Sequence, residues 1–426
     1  MEISLLGAAK EVGRSAVLLE TGKSKVLLDY GVKVSDQTTP QPLYPLQVHG
    51  FLDAVLLSHA HLDHSGSLPF LFKASEPNVY THSATVPIIQ LLLEDSMKIA
   101  RLRKQECFTH SNMSSMLRSM HNCEYNKPYQ ATPDLSFEFS DAGHILGAAM
   151  TTIHNNGRTL VYTGDYKDEP TYLHHGAKPP KKCDALIIEA TYGDRVHPER
   201  KALEKQLMDD IRAVLESGGS VLLPAFAVGR SQELVMMLYR NRISPVYMDG
   251  MSRAVAEIYM DFPELCADYK TFYESMKWVN WITNPRMRDH VFNEPSVIVT
   301  TAGMLSGGPA VIYLNELHKI DKSAVFFTGY QVPGTPGHRL LNQRNFQSDE
   351  FEIDFSNTLV RYYDFSAHCD KDGLHEFIKA AKANVVIVNH GDAEQCEKLR
   401  QWVEDETGAY AFAPSLRQKF KLEEFL

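Results

Sequence analysis

Ser58-His59-Ala60-His61-Leu62-Asp63-His64-Ser65-Gly66 is the stretch that decides the fold. It follows directly on Ala54–Ser58 (AVLLS), a continuous apolar run of the kind expected for a strand buried on both faces. The motif therefore sits on a loop or a first helical turn at the strand's C-terminal end. Four side chains of metal-ligand type, His59, His61, Asp63 and His64, fall within six residues. Alternation puts His59 and His61 on one side, while Asp63 and His64 reach a second position. Neutral imidazoles and a carboxylate are donors that Zn²⁺ accepts at neutral pH.

Working outward, three more strand ends carry residues of the same type. Asp141-Ala142-Gly143-His144 follows a β run, Thr163-Gly164-Asp165 ends Leu160–Thr163, and Val388-Asn389-His390-Gly391-Asp392 ends Val385–Val388. Taken singly, each reads as an ordinary turn or cap. Together with the first motif they converge on one edge of a sheet. Further strands are expected at Ile3–Leu6, Ala16–Glu20, Lys25–Asp29, Leu135–Phe139, Met150–His154 and Ala185–Ile188, with helix dominating from Thr85 to Met120. This half reads as a layered α/β/β/α body.

Near residue 200 the rhythm changes. Pro198–Ser217 is a charged amphipathic helix stopped by Gly218-Gly219. Short apolar strands (Val221–Phe226, Val246–Met248, Val297–Thr301, Val325–Tyr330) then alternate with helical segments (Ser231–Arg240, Arg253–Met260, Pro309–Leu317), which predicts a parallel sheet. The expected organisation is a first domain over 1–200, an inserted α/β domain over 201–350, and completion of the first domain over 351–426. Thr358–Asp364, a helix near Leu374–Ala383 and Val385–Asn389 resume the style of the first half, and Lys419–Leu426 reads as a short tail.

Composition sets the outer limits. With 426 residues, 44% hydrophobic and 23% charged, the chain is an ordinary globular one. Disordered, collagen-like and coiled-coil proteins are excluded. A net charge of −10 excludes a uniformly basic nucleic-acid binder, though not a local basic groove on an acidic body. None of the six cysteines forms a C-x-x-C pair, and no signal-peptide pattern or spanning apolar run is visible. The expectation is a cytoplasmic protein with no membrane partner.

The H-x-H-x-D-H run, the later Gly-His, the strand-ending Gly-Asp and the late His-Gly resemble the signature of metallo-β-lactamase-fold hydrolases. That resemblance implies two zinc ions, with His59, His61 and His144 on one, Asp63, His64 and His390 on the other, and Asp165 bridging. Glu189-Ala190-Thr191-Tyr192-Gly193-Asp194 resembles the first accessory motif of the β-CASP nucleases, and Phe365-Ser366-Ala367-His368 the second. His390 resembles the third, in the histidine form associated with RNA substrates. The implied fold is a four-layer αββα body with an inserted parallel-sheet α/β β-CASP domain. Within that family, His-Ala-His-Leu-Asp-His-Ser-Gly looks more like the nuclease subunit of the cleavage and polyadenylation specificity factor. Bacterial RNase J typically has Gly and Glu in place of Ala60 and Leu62. The compact chain is similar to the short archaeal and bacterial members. Two departures, Cys369 in place of the usual Ala and Asn389 before the late His, remove no ligand.

The resemblance implies zinc-dependent hydrolysis of single-stranded RNA, as an endonuclease, a 5′–3′ exonuclease or both, in RNA processing or decay. Products would carry 5′-phosphate and 3′-hydroxyl ends. Two ions about 3.5–4 Å apart clamp a phosphate and generate a nucleophile at neutral pH. His368 is the expected proton donor, Glu189 its carboxylate partner, and Asp63 a member of the catalytic set. Asp29, within Val26–Gly31, is expected to orient metal-binding histidines. Three strand-Gly-helix turns suit a phosphate against free N–H groups; they nominate Arg230, then Ser306 with Gly307, and His338 as RNA contacts. Tyr330, Tyr192 and Phe226 are of a type that stacks on bases, but the sequence does not place them. Lys98–Lys104 and Lys181–Lys182 read as solvated faces. A homodimer and an RNA-processing complex are the expected assemblies. The competing readings are a small-molecule hydrolase, a DNA nuclease and a catalytically silent RNA-binding scaffold. The last is disfavoured because every ligand position is filled.

Overall fold

A computed structural model describes residues 1–34, 41–180, 182–348 and 351–426. Two seven-stranded sheets face one another. The first runs Lys419–Lys421, Glu2–Leu5, Val17–Glu20, Lys25–Leu28, Ala54–Leu56, Asn78–His82, Met120–Cys123. The second runs Tyr410–Phe412, Val385–Asn389, Ala185–Glu189, Arg158–Tyr162, Ala149–Asn155, Leu135–Asp141, Pro128–Thr132.

Period-two alternation builds the layers. Ile3, Leu5, Val17, Leu19, Val26 and Leu28 point inward and meet Phe137, Phe139, Ile153, Leu160, Ile187 and Ile387 of the second sheet. Their sequence neighbours Leu18, Leu27, Val55, Val161, Leu186 and Val386 face outward and are buried under helices. Both faces of these central strands are therefore apolar, which is why they read as unbroken hydrophobic runs. The result is the expected four-layer αββα order.

The third sheet has six strands, all parallel: Asn280–Trp281, Val246–Asp249, Val297–Thr300, Val221–Pro224, Ala324–Phe327, Leu359–Tyr362. Helices cover both faces. Val221, Leu223, Val299 and Phe326 pack on one side with Leu207, Ile211 and Leu234, while Leu222, Ile298, Val325 and Phe327 pack on the other with Tyr313, Leu314 and Leu340. No helix among the described residues is long and apolar enough to cross a membrane.

Helix dominates from Thr85 to Met120 as expected, in two pieces, Thr85–Arg103 and His110–Arg118, followed by an edge strand. Lys104 turns left-handed (φ 53°) and ends the first. Thr109 opens the second with a capping box to Asn112. Two other expectations need correction. The strand near 358–364 does not return to the first body. It pairs in parallel with Ala324–Phe327, so the inserted sheet closes on Leu359–Tyr362 rather than before 350. Lys419–Leu426 is not a tail. Lys419–Lys421 pairs with Glu2–Ser4, Phe420 and Leu422 are buried, and the N-terminal amine bonds Glu423.

The two bodies meet over a polar junction. The Tyr259 hydroxyl, from the inserted unit, accepts from Leu146 N–H (3.2 Å) and lies 3.0 Å from His174 Nε2. Nearby, Glu233 gathers Arg230 (2.7 Å) and Arg200.

Candidate active site

Every candidate metal ligand lies just past the C-terminal end of a strand, on one edge of the sandwich. Asp29 follows Lys25–Leu28, the His59–His64 motif follows Ala54–Leu56, and His144 follows Leu135–Asp141. Asp165 follows Arg158–Tyr162, Glu189 ends Ala185–Glu189, and His390 follows Val385–Asn389. The strands Arg158–Tyr162, Ala185–Glu189 and Val385–Asn389 run parallel, so their ends are level.

Local backbone makes the approach possible. A Cβ on Gly31 would stand 1.7 Å from the Asp63 carbonyl oxygen, so only glycine lets this loop close over the motif. Gly164 holds φ +54° against Ser58 and thereby turns Asp165 into the site. Asp29 (φ 58°) and His390 (φ 48°) are left-handed without being glycine, a strained state typical of functional positions.

The side chains form two adjoining donor sets. In the first, His61 Nδ1 lies 3.2 Å from His59 Nε2 and 3.1 Å from His144 Nε2, and Asp165 Oδ2 is 3.7 and 3.8 Å from those two Nε2 atoms. In the second, Asp165 Oδ1 is 3.2 Å from His64 Nε2 and 3.1 Å from His390 Nδ1, and Asp63 Oδ2 is 3.4 Å from His390 Nε2. Within each set the donor atoms lie within 4.8 Å of one another. Asp165 thus offers one oxygen to each.

This donor chemistry fits divalent cations. Asp165 is buried, and its Oδ1 stands 3.1 and 3.2 Å from two imidazole nitrogens without a well-aligned hydrogen bond to either. Such an atom is costly unless something cationic meets it. Imidazole and carboxylate together suit zinc.

Outer contacts fix the ligands. Asp29 takes Ser58 N–H (2.7 Å) and the Tyr162 hydroxyl (2.7 Å), and its Oδ2 sits 2.7 Å from His64 Nδ1. His59 Nδ1 is 3.0 Å from Ser58 Oγ, and His144 Nδ1 donates to the Ala367 carbonyl at 2.8 Å. Each of these leaves the other ring nitrogen for the cluster. Gly13 N–H points at His390 Nε2 from 3.3 Å.

Charge follows burial and neighbours. Burial holds the His59 and His144 imidazoles well below their usual range, which favours the neutral form. Burial also lowers His64, but the Asp165 and Asp29 carboxylates outweigh it and raise His64. Asp165 is held low by His390 and His64 against the opposing pull of burial.

Beside the donor sets, His368 Nδ1 sits 3.0 Å from Glu189 Oε2. Glu189 is fully buried, and its Oε1 accepts from Tyr166 N–H at 2.8 Å. Burial opposes charge on His368, but the Glu189 and Asp165 carboxylates prevail and lift it to about 9. The His368 ring lies 4.7 Å from that of His144. A half-buried, protonated imidazole facing the donor sets is a competent proton donor.

The expected RNA contacts fall less neatly. Arg230 is turned inward, 7% exposed, and its guanidinium is spent on Glu233. A buried carboxylate needs its cation, so the phosphate contact expected of Arg230 is not presented. Ser306 is exposed and its carbonyl accepts from Arg103 (3.1 Å), with half-buried Gly307 beside it. His338 is half-buried in the first turn of Pro336–Gln343. Gln331 Nε2 bonded to Gly303 O (3.1 Å), and Gly337 N–H to Met304 O (2.9 Å), knit these two glycine loops into one surface. Lys98 is exposed, as expected of a solvated face; Lys181 lies outside the described residues.

Sequence reading did not anticipate Tyr162, Ser58 as a hydrogen-bonding hub, the Gly13 loop, or the Ala367 carbonyl. Ser58 and Ala367 carried a signal only as members of quoted motifs, Ser58 in the opening one and Ala367 beside His368.

The fold and the site together define a metallo-hydrolase of the two-sheet sandwich kind. Comparison with known proteins agrees over separate stretches: "Metallo-beta-lactamase superfamily domain" matches residues 18–176, "Beta-Casp domain" 231–340, and "Zn-dependent metallo-hydrolase RNA specificity domain" 357–414. The chain belongs to the β-CASP ribonuclease family of the metallo-β-lactamase superfamily. It is 36% identical to a probable RNase MJ4 of Methanocaldococcus jannaschii, over 99% of this chain and 100% of that one. It is 33% identical to RNase aCSPSF2 of Saccharolobus solfataricus, over 99% and 85% respectively. A solved protein of unknown function from Enterococcus faecalis V583 shares the fold, with a TM-score of 0.63 at 16% identity over 98% of this chain and 99% of that one.

Proposed function

We propose that the protein is a two-zinc ribonuclease that hydrolyses single-stranded RNA, leaving 5′-phosphate and 3′-hydroxyl ends. The observation that carries this is Asp165 set between two histidine groups with the His368–Glu189 pair alongside. The match to an RNA specificity domain favours RNA over DNA.

His59, His61 and His144 would hold one ion and Asp63, His64 and His390 the other, with Asp165 shared. When bound, the ions supply Lewis-acid polarisation of a phosphate and a nucleophile at neutral pH. The chain's own residues do the rest. Asp29 and the Ala367 carbonyl hold His64 and His144 in the orientation that leaves Nε2 free. His368 gives its proton to the departing 3′-oxygen, and Glu189 keeps the imidazole charged and aimed. Ser306, Gly307 and His338 supply RNA contact from the inserted unit. The proposal includes a cytoplasmic homodimer acting in an RNA-processing complex.

The test is cleavage of 5′-labelled single-stranded RNA, with matching DNA, by wild type, Asp165→Ala and His368→Ala, metal content being measured for each. Asp165→Ala is expected to lose metal and activity together. His368→Ala is expected to keep its metal and lose about 10²–10⁴-fold in rate. Internal cuts mark an endonuclease, and early release of the labelled mononucleotide a 5′ exonuclease. Zinc-loaded wild type that leaves RNA intact would overturn the reading.

A further inference from the structure

Two of the larger exposed hydrophobic side chains, Phe226 and Tyr330, belong to the inserted unit and lie on one short path to the candidate active site. Tyr330 is 40% exposed and Phe226 37%, although both sit at the ends of fully buried strands, Ala324–Phe327 and Val221–Pro224. Isolated exposed apolar residues need no explanation, but two aromatics at one place do. They are held together: a Cβ on Gly329 would stand 3.1 Å from the Phe226 ring, so the absence of a side chain there lets that ring approach the backbone just before Tyr330.

Tyr330 faces the hydrolase body. Its ring centroid is 6.4 Å from that of Tyr192, whose ring is 6.0 Å from His368. Tyr192 is itself buried, and its outer side is covered by the Arg195 guanidinium 4.3 Å above the ring. The sequence thus runs in space from His368 through a buried aromatic prop to Tyr330 and on to Phe226. A partly exposed ring set perpendicular to a buried ring, which itself carries an arginine, has a face open to receive a nucleobase.

We infer that Tyr330 and Phe226 form a base-stacking platform that positions the nucleotides flanking the scissile phosphate of single-stranded RNA. The inference rests on the ribonuclease reading and deepens it. Stacking accepts any base, since every base has a π-face, so the platform selects for unpaired strands without selecting sequence. A duplex, whose bases are already stacked on one another, has no free face to offer it. Tyr330 and Phe226 act as positioning residues, since neither touches the bond that breaks.

The experiment compares wild type with Tyr330→Leu, Tyr330→Phe and Phe226→Leu, using single-stranded RNA and a series in which one abasic ribose is walked along the strand. Binding is read by fluorescence anisotropy, and KM and kcat by cleavage. Loss of one stack is expected to weaken Tyr330→Leu about 5- to 150-fold in Kd and KM, with a smaller change in kcat. Tyr330→Phe keeps the ring and is expected to match wild type. On RNA abasic at the stacked nucleotide, wild type should fall to the level of Tyr330→Leu, and that variant should lose nothing further. Phe226→Leu should show the same pattern with the abasic position shifted by a nucleotide or so. Equal losses on intact and abasic RNA, or no loss at all, would overturn the platform. If wild type binds RNA but does not cut it, the ribonuclease reading fails while the binding arm still decides the platform.

Discussion

Asp29 shows how much one side chain outside the donor sets governs. Its two oxygens serve Ser58, Tyr162 and His64 at once, and it adopts a left-handed backbone to do so. Asp29→Asn keeps the shape but removes the negative charge that orients His64. A loss of roughly 10- to 100-fold in metal affinity is expected, read by competition with a chromophoric chelator at fixed pH. An unchanged affinity would remove Asp29 from that role. The ligand-type residues themselves were legible in the sequence, because four crowd into one short motif and His144, Asp165 and His390 each stand beside Gly past an apolar run. Tyr162 and Gly13 were not. Their importance comes from contacts across the site with residues far away in sequence, and neither residue type nor spacing announces them. Arg230 misled for the opposite reason: an arginine at a Gly-turn suggests an anion, but Glu233, one helical turn on, takes it first.

Among the elements, boundaries set by tertiary contacts were the ones that escaped. Nothing between Arg103 and His110 is a Gly or Pro, so the break in the helical stretch had no local marker. What creates it is the left-handed Lys104 and the Thr109–Asn112 capping box. Thr109→Ala is expected to cost about 1 kcal/mol of stability in denaturant titration, with cleavage unaffected. A larger loss, or a loss of cleavage, would mean the second helix does more than cover the sheet. Lys419-Phe420-Lys421-Leu422 alternates as a strand should, but four residues are too few to distinguish from a tail until Glu2–Ser4 is seen to pair with it. Leu359–Tyr362 was legible as a strand, yet which sheet it joins depends on the whole fold.

For the molecule as a whole, the junction between the two bodies is one place where pH acts. Burial holds the His174 imidazole down to about 4 from its usual 6.5, with the Glu233 carboxylate pulling the other way. Between those values the unfolded chain binds a proton that the folded chain refuses. Stability contributed here therefore rises with pH from about 4 to 6.5, and is progressively lost as pH falls through that window. His174→Gln retains a group able to meet the Tyr259 hydroxyl and does not titrate. Its denaturation midpoint is expected to vary less with pH than that of wild type over that window, and parallel curves would show that the junction's protonation is immaterial.

The split of the hydrolase body also has a consequence in time. His59 to Asp165 are made before the inserted unit, and His368 and His390 after it. The second sheet gains the strand that carries His390 only when Val385–Asn389 lies alongside Ala185–Glu189. A nascent chain therefore carries six of the seven candidate ligands for much of its synthesis, but lacks His390 and the His368 imidazole. On the reading proposed above, the site is complete only when the last tenth of the chain is reached, so assembly of the metal cluster waits on the final strands of the hydrolase body.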